Sequence, residues 1–252
     1  MGIPLQSGII YGPLESRRFG RSLGINLLPG DRKVCSFDCG YCQYGTADQK
    51  PPIVFPAFED IEREVGAFLS LAKRESRKID WIMIAGNGEP TLHPDFGRVV
   101  RVLGRLRDFH LSGVPIGILS NSSTCHRPEI QEALWKLDKC FMKLDAGTQE
   151  VLHGVNKPFA KEGWSRMIGG IYQLRRFALQ SMFVTGKADN ASPEAVEEWI
   201  STVGYLMPES VQVYTLDRPA GEEGILPVPR GRLEEIAKAL TEKTGILASV
   251  YE

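Results

Sequence analysis

Short apolar runs alternate with longer helical patterns along the whole chain. Residues 22–28 (SLGINLL) read as a strand that leads into a polar loop. Between 59 and 78, Ile61, Val65, Phe68, Leu69 and Ala72 recur at helical spacing and predict a helix. WIMIA (81–85) has the length of a buried strand, and 95–109 a helical pattern entered through His93-Pro94. A strand at 115–120 precedes a helix at 128–137, which opens on Pro128 as first helical turns often do. A strand at 140–146, a helix at 161–179 and a strand at 181–186 follow. The helix at 192–206 has Ser192 as N-cap and Pro193 as its first residue. The pattern closes with a strand at 211–216, a helix at 233–244 and a short strand at 247–251.

Six strand–helix units in succession are the mark of βαβ units and a parallel sheet. An open doubly wound sheet and an incomplete α/β barrel both satisfy the pattern. Either fold gathers its chemistry at the C-terminal ends of the strands. Directly after successive strands come a cysteine loop, GNGEPTLHP, NSST, DAGT, KADN and DRPAG, a rim of polar or Gly-rich loops that predicts one active site. No repeat, low-complexity tract or Gly/Ser linker divides the chain. The expected organisation is an N-terminal arm at 1–21 packing on the barrel, a core at 22–220, and a C-terminal helix and strand at 221–252 completing the same domain.

Composition narrows the function classes. Of 252 residues, 42% are hydrophobic and 24% charged, ordinary for a chain that buries a core. Thirty Lys and Arg against 31 Asp and Glu leave a net charge of -1, which gives no general pull toward nucleic acid or an anionic membrane. The apolar runs are far too short to span a bilayer. SRRFGR at 16–21 resembles a twin-arginine export signal, but SLGINLLPGDRK behind it lacks a long apolar region and a small-residue cleavage site. The expectation is therefore a mature cytoplasmic protein, in which thiols stay reduced.

Three of the five cysteines, Cys35, Cys39 and Cys42, share one loop with the spacing C-x3-C-x2-C. In a reducing compartment such a group points to a metal rather than to disulfides. Thiolates bind soft metals, and three on one loop can hold three irons of a 4Fe–4S cube, leaving the fourth open for an exchangeable ligand. The alternatives are buried structural thiols, or a structural zinc completed by His93, His110, His126 or His153. Zinc loops usually pair their cysteines across a longer arm, which this loop does not. Cys140 starts an apolar strand and reads as core, whereas Cys125 lies in a loop and fits either role. In GNGEP (86–90), a carboxylate and exposed carbonyls in a Gly-rich turn suit an ammonium ligand; a plain turn before the helix at 95 is the alternative.

Cys35, Cys39 and Cys42 with Tyr41 before the last of them, on the loop after the first strand of an α/β repeat, and a Gly-Glu-Pro turn after the second strand, resemble the radical S-adenosylmethionine (SAM) superfamily over nearly the whole chain. The resemblance implies a partial (β/α)6 TIM-like barrel of the radical SAM type. It implies that Cys35, Cys39 and Cys42 bind a 4Fe–4S cluster, and that SAM chelates the open iron through its amino and carboxylate groups. Tyr41 matches the aromatic position beside the adenine. Gly88 and Glu89 match the motif that holds the methionine amino group, although Asn87 stands where that motif usually has its first Gly. Asn121, next to Ser120, and Asp145 match positions that serve ribose and carboxylate; Asp145 can equally cap the following turn. The fifth strand departs from the family's Gly-x-Ile-x-Gly-x-x-Glu, reading MFVTGKADN with no matching Glu.

The implied activity is reductive cleavage of SAM to methionine and a 5′-deoxyadenosyl radical that abstracts hydrogen from a substrate. A reductant such as flavodoxin or ferredoxin is the implied partner. YGPLESRRFGRSLGINLLP, NGEPTLHPDF and MKLDAGTQE are similar to bacterial radical SAM proteins grouped with wyosine-type tRNA base synthases. Two features count against transferring that activity: no cysteine precedes Cys35 for a second cluster, and basic residues are not in excess. The basic groupings are Arg17, Arg18 and Arg21, and Arg98, Arg101 and Arg105 along one helix face that reads as solvated surface. Candidate substrates are thus a tRNA base, a glycyl-radical enzyme to be activated, a peptide or a small molecule. The non-enzymatic alternative is an iron–sulfur electron carrier or redox sensor, which needs no pocket for an organic ligand.

Overall fold

Alternating positions along each strand divide the apolar residues between the two surfaces of one curled sheet. The computed structural model of the protein describes residues 2–160 and 163–251. Among them the order is β1 (Ile10–Ser16), β2 (Gly20–Ile25), α1 (Phe58–Arg74), β3 (Trp81–Ile84), a 3-10 turn (Pro90–Leu92), α2 (Phe96–His110), β4 (Ile116–Ser120), α3 (Pro128–Leu134) and β5 (Lys139–Lys143). It continues through α4 (Gln149–Val155), α5 (Trp164–Tyr172), β6 (Phe177–Met182), β7 (Val184–Gly186), α6 (Pro193–Leu206), β8 (Ser210–Tyr214), β9 (Ile225–Pro227), α7 (Arg230–Thr244) and β10 (Ala248–Tyr251). Eight strands form one sheet in the order β1-β2-β3-β4-β5-β6-β8-β10, with β7 and β9 as a separate pair. β1 runs antiparallel to β2, and every later neighbour in the large sheet is parallel. The order never reverses, which excludes the doubly wound alternative. β1 and β10 are both edges, so the sheet stays open as the partial TIM-like barrel expected of the sequence.

Ile82 and Ile84 on β3, Ile116 and Ile118 on β4, and Cys140 and Met142 on β5 belong to the main core under the helices. The residues between them turn to the concave face, where Phe19, Met83, Phe141 and Ala178 form a smaller cluster with Trp81 and Leu119. Phe19, from the β1–β2 hairpin, meets Phe141 edge-on with ring centroids 4.6 Å apart. Farther along the strands this interior turns polar: Gln180 donates to Gln212 at 2.7 Å, and Lys143 to the Tyr214 hydroxyl at 2.7 Å. That gradient from aromatic to polar aims the sheet's hydrogen-bonding groups at its C-terminal end.

The helices follow local chemistry. α1 buries Phe58, Ile61, Val65, Leu69 and Ala72 on one face, each large side chain contributing about 1.5–3 kcal/mol by leaving water. Ser192 Oγ accepts from the Ala195 N–H at 3.3 Å and caps α6, and α7 stops at Gly245 with φ 74°.

The stretch expected as an N-terminal arm contains β1, which pairs with β2 at the edge of the sheet. Two expectations are revised. The helix expected at 161–179 ends at Tyr172, and β6 begins at Phe177; residues 161 and 162 lie outside the described residues. The reason is that Phe177 through Ser181 are buried on both faces, as in a central parallel strand. Such a run lacks the period-2 alternation that separates strand from helix, so the apolar pattern of the preceding helix runs on through it. The strand expected at 181–186 is split into the end of β6 and the short β7.

Candidate active site

The loop between β2 and α1 is held on two sides. On one side Val34 N–H donates to Asn87 O at 2.9 Å and Glu89 N–H to Val34 O at 3.0 Å, forming a parallel bridge to Gly88. Gly88 has φ +139°, and a Cβ there would lie 1.9 Å from Val34 O, so only glycine fits this approach. On the other side Phe37 bridges Pro158, Asp38 N–H donates to Lys157 O at 3.1 Å, and Gly40 N–H to Val155 O at 3.2 Å. A strap at 217–224 crosses above, where Glu222 N–H donates to Gly40 O at 2.9 Å. Inside the loop the buried Lys33 donates to Gly45 O at 2.7 Å and lies 3.4 Å from Asp38 Oδ1.

Two hydrogen-bond chains run from the strand ends to the thiols. Glu89, 1% exposed, receives Thr91 N–H (3.1 Å), Thr91 Oγ1 (2.6 Å) and Ser120 Oγ (2.9 Å) on Oε1, and Asn121 N–H (2.5 Å) on Oε2. Burial pushes its carboxyl above the ordinary 4.5, and the four donors work against that shift. The Asn121 amide then donates to Ser36 Oγ at 2.9 Å and lies 3.4 Å from Cys35 Sγ. In the second chain Asp145, also 1% exposed, accepts from Tyr41 OH at 2.5 Å and from Met182 N–H at 2.8 Å. Asn156 Nδ2 stands 2.6 Å from Asp145 Oδ2, 2.9 Å from the Tyr41 oxygen and 3.4 Å from Cys39 Sγ.

Charge shapes the second chain. Burial and the Asp145 carboxylate push the Tyr41 hydroxyl well above its usual value, so it stays a donor. Burial opposes the charge of Lys143, but Asp145, 3.4 Å away, and Tyr214 outweigh it and hold the ammonium above its ordinary value. Cys39 is raised mainly by burial, with the Tyr41 and Asn156 donors opposing, and Cys35 is pushed up to about 12 by burial and Cys39.

The structure thus gathers Cys39, Tyr41 and Asp145 into one network, and Cys35, Glu89 and Asn121 into another, with Gly88 bridging to Val34. Cys125 and Cys140 are free and buried, donating to Ser122 O and Leu134 O at 2.8 and 3.4 Å. Sequence reasoning missed Asn156, Lys143 and Asn190. Lys143 had a signal, a charge inside an apolar strand run; Asn156 follows α4, a helix the pattern did not predict. Asn190 lies in the loop after β7, its Nδ2 donating to Asp145 O at 2.6 Å and Met182 O at 2.8 Å. Asn87, the departure from the Gly motif, is buried and ties the N-terminal stretch down: Nδ2 donates to Gln6 O and Pro29 O, each at 2.8 Å, and Oδ1 accepts from Gln6 N–H at 2.8 Å.

Among the described residues no three His, Cys, Asp or Glu side chains converge closely enough to hold one metal ion. His93 is moreover tied up between Pro56 O and the Asp95 N–H. Cavities of about 360 Å³ and 310 Å³ open beside the thiols, lined respectively by Tyr41 with Cys42 and by Cys39 with Cys42. A larger cavity of about 720 Å³ lies across the loop among Phe37, Phe55, Phe159 and Met167, and neither the three loop thiols nor Tyr41, Gly88, Glu89, Asn121 and Asp145 line it.

A family model described as the radical SAM superfamily matches residues 33–201. The chain belongs to the radical SAM superfamily. Radical SAM proteins use a 4Fe–4S cluster and SAM, and the residues here fit that pair: three free thiols on one loop, two of them facing amide donors, beside a glycine turn held open by a carboxylate. A UPF0026 protein of Helicobacter pylori is 31% identical over 248 residues, covering 96% of this chain and 76% of that protein. A protein of Brachyspira hyodysenteriae named GTPase Obg is 28% identical over 226 residues, 87% of this chain; the chain spans 31% of that relative's length. A radical SAM methyltransferase from Sphaerobacter thermophilus superposes with a TM-score of 0.67 at 15% identity, over 91% of this chain and 65% of that one. TYW1 with a lysine-pyruvate adduct bound superposes at 0.58 and 13%, over 89% and 74%. Likeness at these identities is one of fold alone. Among the described residues no helix is long and apolar enough to cross a membrane.

Proposed function

We propose that this radical SAM protein is an enzyme in which Cys35, Cys39 and Cys42 each ligate one iron of the 4Fe–4S cluster, while Tyr41, Gly88, Glu89, Asn121 and Asp145 form the SAM cradle. The observation that carries this reading is the pairing of the thiol loop with the Gly88 turn through two backbone hydrogen bonds, with Asn121 and Asn156 aimed at Cys35 and Cys39. Cluster and SAM together supply one-electron cleavage of the sulfonium and, from it, hydrogen-atom abstraction. The chain's residues supply orientation and tuning. Asn121 and Asn156 donate toward sulfur, which stabilises the added electron on reduction. Glu89 gathers four donors and fixes the turn beside Cys35. The strap that bonds Gly40 covers the loop and limits water and oxygen at the thiols.

A flavodoxin or ferredoxin in the cytoplasm is the reductant in this reading, and hydrogen abstraction from a small molecule is the reaction. A tRNA substrate has less support: Arg98 and Arg105 pair with Glu59 and Glu62 at 3.5 and 3.4 Å, which offsets part of that face's positive charge. A shift of bulk tRNA at moderate salt in a gel would reverse that preference. Activation of a glycyl-radical enzyme and peptide modification are tested by the same principle, with the respective protein or peptide as probe.

The deciding experiment is anaerobic reconstitution with iron and sulfide, dithionite reduction, and EPR with and without SAM. A 4Fe–4S signal that changes with SAM, followed by release of 5′-deoxyadenosine, supports the proposal. A cluster indifferent to SAM, or bound zinc alone, moves the chain to the electron-carrier or structural-metal class.

A further inference from the structure

The cavity of about 360 Å³ beside Cys42 is walled on one side by the turn of the β1–β2 hairpin and on the other by the ends of β5 and β8. Arg17 and Arg18 come from the hairpin, Lys143 and Tyr214 from the strands, and Asp217 from the strap. Arg17 is answered by Asp217 at 3.1 Å, and Lys143 by Asp145 at 3.4 Å. Among the described residues Arg18 has no such answer. Its guanidinium lies 4.8 Å from the Tyr214 ring centroid and 5.5 Å from that of Phe19, and its Nη1 is buried without a hydrogen-bond partner. Tyr214 therefore fixes two cations at once, Arg18 on its ring face and Lys143 at its hydroxyl. Among the described residues three cations meet two carboxylates here, which leaves one positive charge and one buried donor unanswered.

Buried donors are almost always paired, so an orphan in a cavity marks the place of a group the ligand brings. A guanidinium with free N–H groups suits a carboxylate or phosphate, which it can bind through two bonds at once. A volume of 360 Å³ is at the small end of ligand pockets, which span roughly 300–1,000 Å³, and fits a compact molecule. We propose that this cavity is the substrate pocket and that Arg18, with Lys143 beside it, seats the anionic group of a small organic acid or phosphate ester. The proposal rests on the radical SAM reading above and names the substrate class. It gives the SRRFGR stretch a role: the hairpin carries a specificity residue to the rim next to the cluster loop.

The test uses the reconstituted protein, titrated calorimetrically with inorganic phosphate and with succinate at constant ionic strength. One saturable site per chain is expected for at least one probe, and the tighter of the two tells phosphate ester from carboxylic acid. Arg18→Met should weaken binding about tenfold or more, the loss of a charged hydrogen bond, with Arg18→Lys recovering most of it. Arg101→Met, on a remote helix face, should bind as wild type. Equal binding by Arg18→Met, no saturable site for either probe, or abolition of binding by prior saturation with SAM would each overturn the proposal, the last because Arg18 would then serve SAM itself. EPR of the same samples keeps the two readings apart. A cluster that ignores SAM refutes the enzyme reading, whereas an intact SAM response without anion binding refutes this inference alone.

Discussion

Replacing Glu89 by Gln removes one charge and two acceptor lone pairs and adds two hydrogens in a site that is 1% exposed. The wild-type carboxylate accepts four donors, three on Oε1 and one on Oε2. If the amide oxygen keeps the place of Oε1, its NH2 faces the Asn121 N–H, and a buried backbone donor loses its acceptor at a cost of about 1–3 kcal/mol. The three remaining bonds change from charge-assisted to neutral, each weaker by about 1 kcal/mol. Relief from burying a charge offsets part of this, so a net loss of about 2–4 kcal/mol is expected. Urea unfolding of the cluster-free chain, followed by circular dichroism, measures it. With a slope of about 3 kcal/mol per molar for a chain of this size, the midpoint should fall by about 1 M with the slope unchanged. The Glu89→Gln loss should also shrink in a Ser120→Ala background, because one bond is then counted once. A midpoint shift below about 0.2 M would show that the carboxylate does not hold the turn to β4.

Cys39→Ala should abolish the brown absorbance of the reconstituted cluster while Cys125→Ala keeps it; the reverse pattern would refute the ligand assignment. Gly88→Ala places a Cβ 1.9 Å from Val34 O, so a loss of at least about 2 kcal/mol in the same urea assay is expected, and wild-type stability would mean that the bridge to the cysteine loop is dispensable. Asn156→Ala removes the amide shared by Cys39, Tyr41 and Asp145, and should lower both stability, by about 1–3 kcal/mol, and the cluster's reduction potential in voltammetry; an unmoved potential would sink the tuning role. Lys157 and Lys187 hold the Glu222 carboxyl down to about 2. Because that folded value is depressed below the ordinary 4.5, the clamp acts above 4.5 and is lost as pH falls from there toward about 2. Hydrogen exchange at the Glu222 amide, corrected for intrinsic rates, should accelerate across that window in wild type and be fast throughout in Glu222→Gln; a flat profile in wild type would contradict the clamp.

The sequence by itself determined the class of fold and the thiol centre, because both are written in short-range spacing. Apolar runs separated by helical faces required parallel strands, and C-x3-C-x2-C followed by Gly-Glu-Pro needs no knowledge of distant contacts. It also placed Tyr41, Glu89, Asn121 and Asp145 on one rim, since each lies at the end of a predicted strand or in the loop beyond it. Tertiary structure decided what those residues touch. Glu89 gathers donors that include Ser120 and Asn121 from another strand end, a partnership 31 and 32 residues distant. Asn156 reaches Cys39 across 117 positions, and no local pattern marks an asparagine that far away as a neighbour. β6 was hidden for a related reason: a strand buried on both faces has no alternation, and its burial exists only once β5 and β8 flank it. The hairpin's Arg18 acquires its setting in the same way, from a Tyr214 that sequence order puts near the other end of the chain. Spacing along the chain names the chemistry, and packing between strands chooses the partners, because hydrogen bonds act over a few ångströms wherever the fold brings their groups together.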